Sequence, residues 1–183
     1  GAESAAPLQG ARWIWRNEGQ PAQSAPVGKR YFRRTFRLEP ERKVASAQFT
    51  VTADNRFEAW INGRRLGEGE EFRRAFTLKA TGALRPGTNL IAVLAMNTTD
   101  QPNPAGVIGK VTIHFADGQV LEVATDGQWE AATDAKGNWA ADATAAGDWS
   151  PALALGPAGM EPWGEIETES VRRDPIPDIN LLC

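Results

Sequence analysis

Residues 48–67, QFTVTADNRFEAWINGRRLG, constrain the fold more than any other stretch. Phe49, Val51 and Ala53 alternate with Gln48, Thr50 and Thr52, and Phe57, Ala59 and Ile61 alternate with Arg56, Glu58 and Trp60. A period of two sends successive side chains to opposite faces of a strand, so each run reads as a strand with one face toward a core. Asp54-Asn55 lies between the runs, and both residue types tolerate turn geometry. Asn62-Gly63 then separates the second run from residues 64–66, as in a type I′ hairpin, whose two central residues need positive φ. The stretch predicts an antiparallel meander.

The same reading extends along the chain. Residues 1–10 are expected to be disordered or loosely docked, 11–15 form a short apolar strand, and 17–28 read as loop from their Gly, Pro and Ser content. Over residues 29–38, Phe32, Phe36 and Leu38 face one way and Tyr31, Arg33, Thr35 and Arg37 the other. Arg34 falls on the apolar side and is expected at an edge or paired, because an unpaired buried guanidinium is costly. Residues 67–71 read as an acidic turn, 72–78 as a strand, and 81–89 as a loop with one helical turn. NLIAVLAMN at 89–97 is apolar on both parities, which fits a central strand covered on both faces. The most polar loop follows at 98–104, and a second hairpin turns at Asp117-Gly118, with Val111, Ile113, Phe115, Leu121 and Val123 available to the core. From Trp129 on, Ala and Gly dominate, and Trp139, Trp149 and Trp163 are expected to anchor an irregular wrap. The prediction is an all-β, antiparallel jelly-roll sandwich over residues 11–164, with 165–183 as a linker towards a downstream domain.

With 183 residues, 42% of them hydrophobic, the chain can build one real core but is too short for a (β/α)8 barrel. Net charge is only −3 and the arginines form no basic stripe, so no nucleic-acid partner is expected. No apolar run approaches the roughly 18–20 residues that span a bilayer, so no membrane partner is expected either. The one cysteine is Cys183, which leaves packing to supply the stability. GxSxG, HExxH and phosphate-loop motifs are missing, and the one histidine, His114, sits opposite the inward-facing Val111, Ile113 and Phe115 as a surface residue. Glycosidases set two carboxylates roughly 5–10 Å apart across a sugar. The only dense acidic cluster, Glu68, Glu70 and Glu71, reads as a solvated turn rather than as a site.

Seven tryptophans against one tyrosine carry more functional content. Indole faces stack on the apolar C–H face of pyranose rings while Asn, Asp and Arg side chains read the hydroxyls, so a Trp-rich sandwich without catalytic motifs suits carbohydrate binding. Trp60 stands out because Phe57, Ala59 and Ile61 claim the core parity and leave it beside Arg56 and Glu58. That face is either covered by the C-terminal wrap or open to ligand.

The order of several motifs resembles a known family. A strand ending in Ala53-Asp54-Asn55, an aromatic-rich strand running into Asn62-Gly63, LRPGTN at 84–89 before LIAV at 90–93, and Thr125-Asp126 before Trp129 are similar to the N-terminal sugar-binding-like β-sandwich of bacterial α-L-rhamnosidases and related glycoside hydrolases. The resemblance covers most of residues 11–163 and implies a galactose-binding-like jelly roll. In the rhamnose-binding relatives, calcium helps hold the sugar at a loop-borne acidic and amide site, and the resemblance puts Asp54 and Asn55 forward as that pair. The alternative for these two residues is an Asx turn joining two strands. A hard cation takes about six to eight oxygens, so Asp100 and the Asn97 and Asn103 amides are expected to contribute if the two loops share one end of the sandwich. The candidate calcium ligands are Asp54, Asn55 and Asp100, and the candidate ligand-binding set is Asp54, Asn55, Trp60, Asn97, Asp100 and Asn103.

These features are expected to make a non-catalytic carbohydrate-binding module of a larger secreted or periplasmic glycoside hydrolase. It would tether a polysaccharide, for example one containing rhamnose, near a downstream catalytic domain. The alternative is a structural sandwich that packs against that domain and binds no sugar. A third reading, a small hydrolase, needs a cleft with two facing carboxylates, and the sequence offers no preferred pair.

Overall fold

The runs that alternate in sequence pair as strands in the computed structural model, which describes residues 7–172. In chain order they are β1 (Arg12–Trp15), β2 (Gly28–Leu38), β3 (Val44–Asp54), β4 (Arg56–Ile61), β5 (Arg64–Glu70), β6 (Arg74–Lys79), β7 (Gly87–Asn97), β8 (Gly106–Phe115), β9 (Val120–Ala124), β10 (Glu130–Ala132), β11 (Ser150–Pro151), β12 (Leu153–Pro157) and β13 (Glu167–Arg172). One sheet has the order β12-β1-β8-β3-β6-β13, with β9 also on β8, and the other has the order β11-β10-β2-β7-β4-β5. Every ladder is antiparallel except β13 on β6. The result is the expected all-β sandwich. No helix among the described residues is long and apolar enough to cross a membrane.

The core lies where the parities said it would. Phe49, Val51 and Ala53 of β3 and Val107, Val111 and Ile113 of β8 meet Phe57, Ala59 and Ile61 of β4 and Ile91, Val93 and Ala95 of β7. Each fully buried Val, Ile or Phe contributes roughly 1.5–3 kcal/mol relative to an exposed one. Trp15 fills the gap beside Phe32, with ring centroids 5.3 Å apart, and buried Trp129 donates its Nε1 proton to the Ala124 carbonyl.

The hairpin motif does more than turn the chain. Asn62 and Gly63 take φ of 52° and 81°, as a type I′ turn requires. Asn62 Nδ2 donates to Ala83 O and to Asn89 Oδ1, and its own Oδ1 accepts from the Leu90 amide. Buried Asn89 in turn closes its own loop by donating to Arg85 O and Gly87 O. LRPGTN and the Asn-Gly turn are therefore one hydrogen-bonded joint. Thr125 makes a second joint, donating to Arg12 O and accepting from the Gly109 amide where β1 and β9 share the edge of β8.

Several expectations need correction. Residues 67–70 are strand rather than turn, because Gly67 and Gly69 let Leu78 and Phe76 approach to where a β-carbon would stand, at 2.9 and 2.4 Å. Arg65 pairs with Glu58 across the β4–β5 ladder and with Glu68 within β5. Arg33, placed on the polar face, is buried there: its guanidinium lies 3.8 Å over the Trp149 ring, pairs with Glu130, and donates to the carbonyls of Trp139, Asp142 and Ala145. Arg34 is half-buried on the other face. The wrap is less irregular than expected, since β10, β11 and β12 extend both sheets. The stretch read as a linker from residue 165 begins as structure, with β13 added to β6 and Glu169 pairing with Arg74 at 3.0 Å. Beyond residue 172, and for residues 1–6, the sequence readings lie outside the described residues. Within the N-terminal stretch, Leu8 is buried and Gln9 O accepts from Lys110 Nζ, so this part is docked.

Both outer faces are covered. On the first sheet, Trp13, Ile108, Ala75, Leu8 and Trp163 form a second core, closed by a Trp13–Trp163 stack at 4.1 Å. On the second sheet, residues 133–149 fold over Tyr31, Trp60 and Arg33. Asp148 pins that flap, accepting from Thr133 Oγ1 and from the Thr133 and Asp134 amides and facing Arg16 at 3.7 Å.

Two outcomes follow from these covers. A β-carbon on Gly106 would stand 2.7 Å from Trp13 and 3.0 Å from Trp163. Gly106→Ala should therefore cost about 1–3 kcal/mol, read as a lower denaturant midpoint; an unchanged midpoint would show that the stack yields freely. The Thr133 hydroxyl, with the backbone amides, holds the Asp148 carboxyl at about 2 instead of 3.8. Because the folded value is depressed, this anchor's contribution is full above 3.8 and is lost as pH falls through about 2. Acid titration should then release Trp139 and Trp149 in a fluorescence step that Asp148→Asn removes; an identical step in the variant would rule out Asp148 as the latch.

Candidate polar ligand site

β3, β4, β7 and β8 bring the Asp54-Asn55 turn and the 98–105 loop to the same pole of the sandwich. Asp54 is in register with Gly106, the first residue of β8, and the Asn55 amide donates to Met96 O, next to the last residue of β7. The Asp54–Asn55 peptide bond is cis. Asn55 Oδ1 accepts from both the amide and the hydroxyl of Thr98, at 2.8 and 2.9 Å, so the two loops are joined directly.

The amides expected from sequence hold this pole together. Asn97 is buried, and its Nδ2 donates to Ala25 O and Pro26 O at 3.0 Å each, while its Oδ1 is buried without a hydrogen-bond partner. Asn103 Nδ2 donates to Thr98 O, Thr99 Oγ1 and Gln101 O, and its backbone pairs with Ala25. Asp100 is exposed on the same loop. Asp54, Asn55, Asn97, Asp100 and Asn103 thus share one pole, as the expectation required.

Trp60 does not belong to it. It sits near the other end of β4, half-buried, with its ring edge-on to Trp139 at 5.6 Å. The wrap covers that face, and Trp139 also meets Tyr31 edge-on at 5.0 Å.

Sequence reasoning treated Trp163 as a plain anchor and missed what it does. Its Nε1 donates to Asp54 Oδ2 at 2.9 Å within the buried interior. Burial pushes the Asp54 carboxyl above its ordinary 3.8, and the indole N–H pulls it part of the way back. The signal available in sequence was an aspartate at the end of an apolar strand, which needs a donor from somewhere if it is buried. Beside this contact lies a cleft of about 690 Å³ lined by Trp163, Phe76, Glu70, Glu71, Arg73, Arg74, Glu165 and Glu167. The Glu71 amide donates to Asn55 O, which places the cleft against the turn.

Two side-chain oxygens of this part of the fold are of the kind a hard cation takes. Asn97 Oδ1 is buried and without a partner, and Asp54 supplies a carboxylate. Asn55 Oδ1 already serves Thr98, and among the described residues no three His, Cys, Asp or Glu side chains converge.

Comparison with known proteins adds a context for this pole. No family model matches the chain. The α-L-rhamnosidase of Streptomyces avermitilis is 28% identical over 166 residues, which are 87% of this chain and 16% of that protein. Its crystal structure, complexed with L-rhamnose, superposes with a TM-score of 0.80 and 27% identity over 90% of this chain and 16% of that one. The apo lectin of Pleurotus ostreatus gives 0.78 and 29% identity, over 91% of this chain and 47% of that one. The GH78 rhamnosidase of Bacillus sp. GL1 gives 0.69 and 26% identity, over 88% and 20%. Over most of its length the chain is homologous to a β-sandwich portion of an α-L-rhamnosidase, and it spans only 16% of that enzyme.

Proposed function

We propose that the chain is a non-catalytic carbohydrate-binding module of a secreted or periplasmic glycoside hydrolase, and that its sugar binds at the Asp54-Asn55 pole. The observation that carries this is the buried Asp54 carboxylate, held by the indole N–H of Trp163, whose ring lines a cleft with charged side chains next to the Asn55 turn. Such convergent polar groups at the end of a rigid scaffold suit recognition of a ring bearing several hydroxyls. The likeness to a lectin and to a rhamnosidase complexed with L-rhamnose supports the same class of ligand.

Each residue has a distinct part. The Asp54 carboxylate accepts from sugar hydroxyls. Asn55 Oδ1 is engaged by Thr98, so its Nδ2 is the group left to donate to a ligand. Asn97 and Asn103 hold the loop around it. Calcium, when bound, would be held by Asp54, Asp100 and the Asn97 amide oxygen, and would supply a positive charge for sugar oxygens. A rhamnose-containing polysaccharide held here would be concentrated near a catalytic domain in the same chain. Of the two marks of the structural alternative, a covered Trp60 is present, since Trp139 lies against it, whereas a broad apolar patch is not seen among the described residues, whose exposed large hydrophobics are Val27 and Val120.

Titration of the chain with L-rhamnose and rhamnose-containing polymers, followed by tryptophan fluorescence, should give a saturable response that chelator weakens. Asn55→Ala should reduce the affinity by about tenfold or more; a panel of sugars that leaves the fluorescence unchanged would sink the reading. Asp54 supplies a second check. Its folded value is raised, so its contribution to stability is full below 3.8 and is lost as pH rises through the folded value. Asp54→Asn should melt higher than the parent chain near about pH 7, with the gain shrinking toward about pH 4, while sugar binding is lost. A variant that melts lower at neutral pH would show that the buried charge is not a burden to the fold.

A further inference from the structure

Trp163 is built into the candidate site from a segment distant in sequence. Its bond to Asp54 spans 109 positions, and Asp54 is only 6% exposed. Nothing about the ring is loose: it stacks on Trp13 at 4.1 Å with 17° between planes and lies against Gly106. Its backbone is set by a tight turn, since the Trp163 and Gly164 amides both donate to Met160 O. Four positions later Glu167 opens β13, whose Glu169 carbonyl accepts from Thr77 Oγ1.

We propose that Trp163 is a positioning residue: its indole N–H orients the Asp54 carboxylate for the ligand, and thereby ties occupancy of the pole to the seating of residues 160–167 and of β13. The proposal rests on the sugar reading for the identity of the ligand, and on the geometry alone for the tie. A carboxylate has two oxygens. With Oδ2 fixed by the indole, Oδ1 is left for a hydroxyl or cation, and rotation of the group, which would spread its charge over several orientations, is suppressed. Conversely, a ligand that draws Asp54 outward lengthens the indole bond and loosens the segment, while one that accepts its present orientation tightens it. The charged groups around the cleft that Trp163 closes are Glu70 of β5, Glu71, Arg73 and Arg74 entering β6, and Glu165 and Glu167 of the segment itself. Arg74 is engaged by Glu169, so the segment is tied to β6 at two points past the indole.

Trp163→Phe keeps the stack on Trp13 and removes only the donor. The Trp163 indole N–H, followed by nitrogen-15 NMR of the ligand-free chain, should shift in Asp54→Ala while the Trp13 stack is kept, because its acceptor is gone, a signature that a loss of packing alone does not produce. L-Rhamnose affinity should fall about tenfold in Trp163→Phe. Hydrogen exchange of residues 160–168 should quicken in Trp163→Phe and in Asp54→Ala alike, with the hairpin at Asp117-Gly118 unchanged, so the tie can be read even if one variant folds poorly. An indole N–H signal that ignores Asp54→Ala, or segment exchange that ignores it, overturns the proposal. If the parent chain binds none of the sugars, the sugar reading fails, while the indole signal and the exchange, which need no ligand, still decide whether the tie exists.

Discussion

Both sheets carry apolar or aromatic side chains on the faces turned away from each other, and the rest of the structure depends on covering them. A sandwich with only an inner core would leave Trp13, Ile108 and Ala75 wet on one side and Tyr31 and Trp60 on the other. The covering segments are rich in Ala, Gly and Pro and have few large apolar side chains to bury. Each indole buries roughly 150–250 Å², so a single well-placed ring can hold a stretch that has little else to offer. Trp139 and Trp149 do this for the second sheet, with the Arg33 guanidinium between ring and carbonyls, and Trp163 does it for the first.

The polar pole is a by-product of that arrangement. Trp163 arrives to close the outer core of the first sheet, and its N–H is then left facing the end of β3, where Asp54 accepts it. A group that packs as a hydrophobe on its rings and donates at its edge satisfies two demands at once. Asn97 and Asn103 work likewise on the other side of the turn, replacing a regular strand connection with side-chain bonds to carbonyls. The likeness to a rhamnosidase and to a lectin spans most of the chain, so the scaffold that carries this pole is common to all three.

Much of this was legible in the residues because the period-two pattern is a local property. Phe57, Ala59 and Ile61 could face only one way, and Asn62-Gly63 could scarcely be anything but a turn. The joining of the 54–55 turn to the 98–105 loop was visible as a condition to be met rather than as a fact. What escaped was whatever depended on partners distant in sequence. Gly67 and Gly69 look like turn residues until Leu78 and Phe76 are seen to need the space. Arg33 looks solvated until the flap lies over it, and β13 has no periodicity of its own because β6 supplies its ladder from one side. The amides at 55, 97 and 103 do lie at one pole, but Trp60 was joined to them on the strength of its parity, and parity says which face a residue takes without saying which end.

The direction of β13 has a consequence for how the pole is presented. Because it runs parallel to β6, from Glu167 beside Arg74 to Arg172 beside Leu78, the backbone travels away from Asn55 and reaches Arg172 level with Phe49, halfway along β3. The last strand therefore leaves the Asp54-Asn55 turn uncrowded by its own backbone.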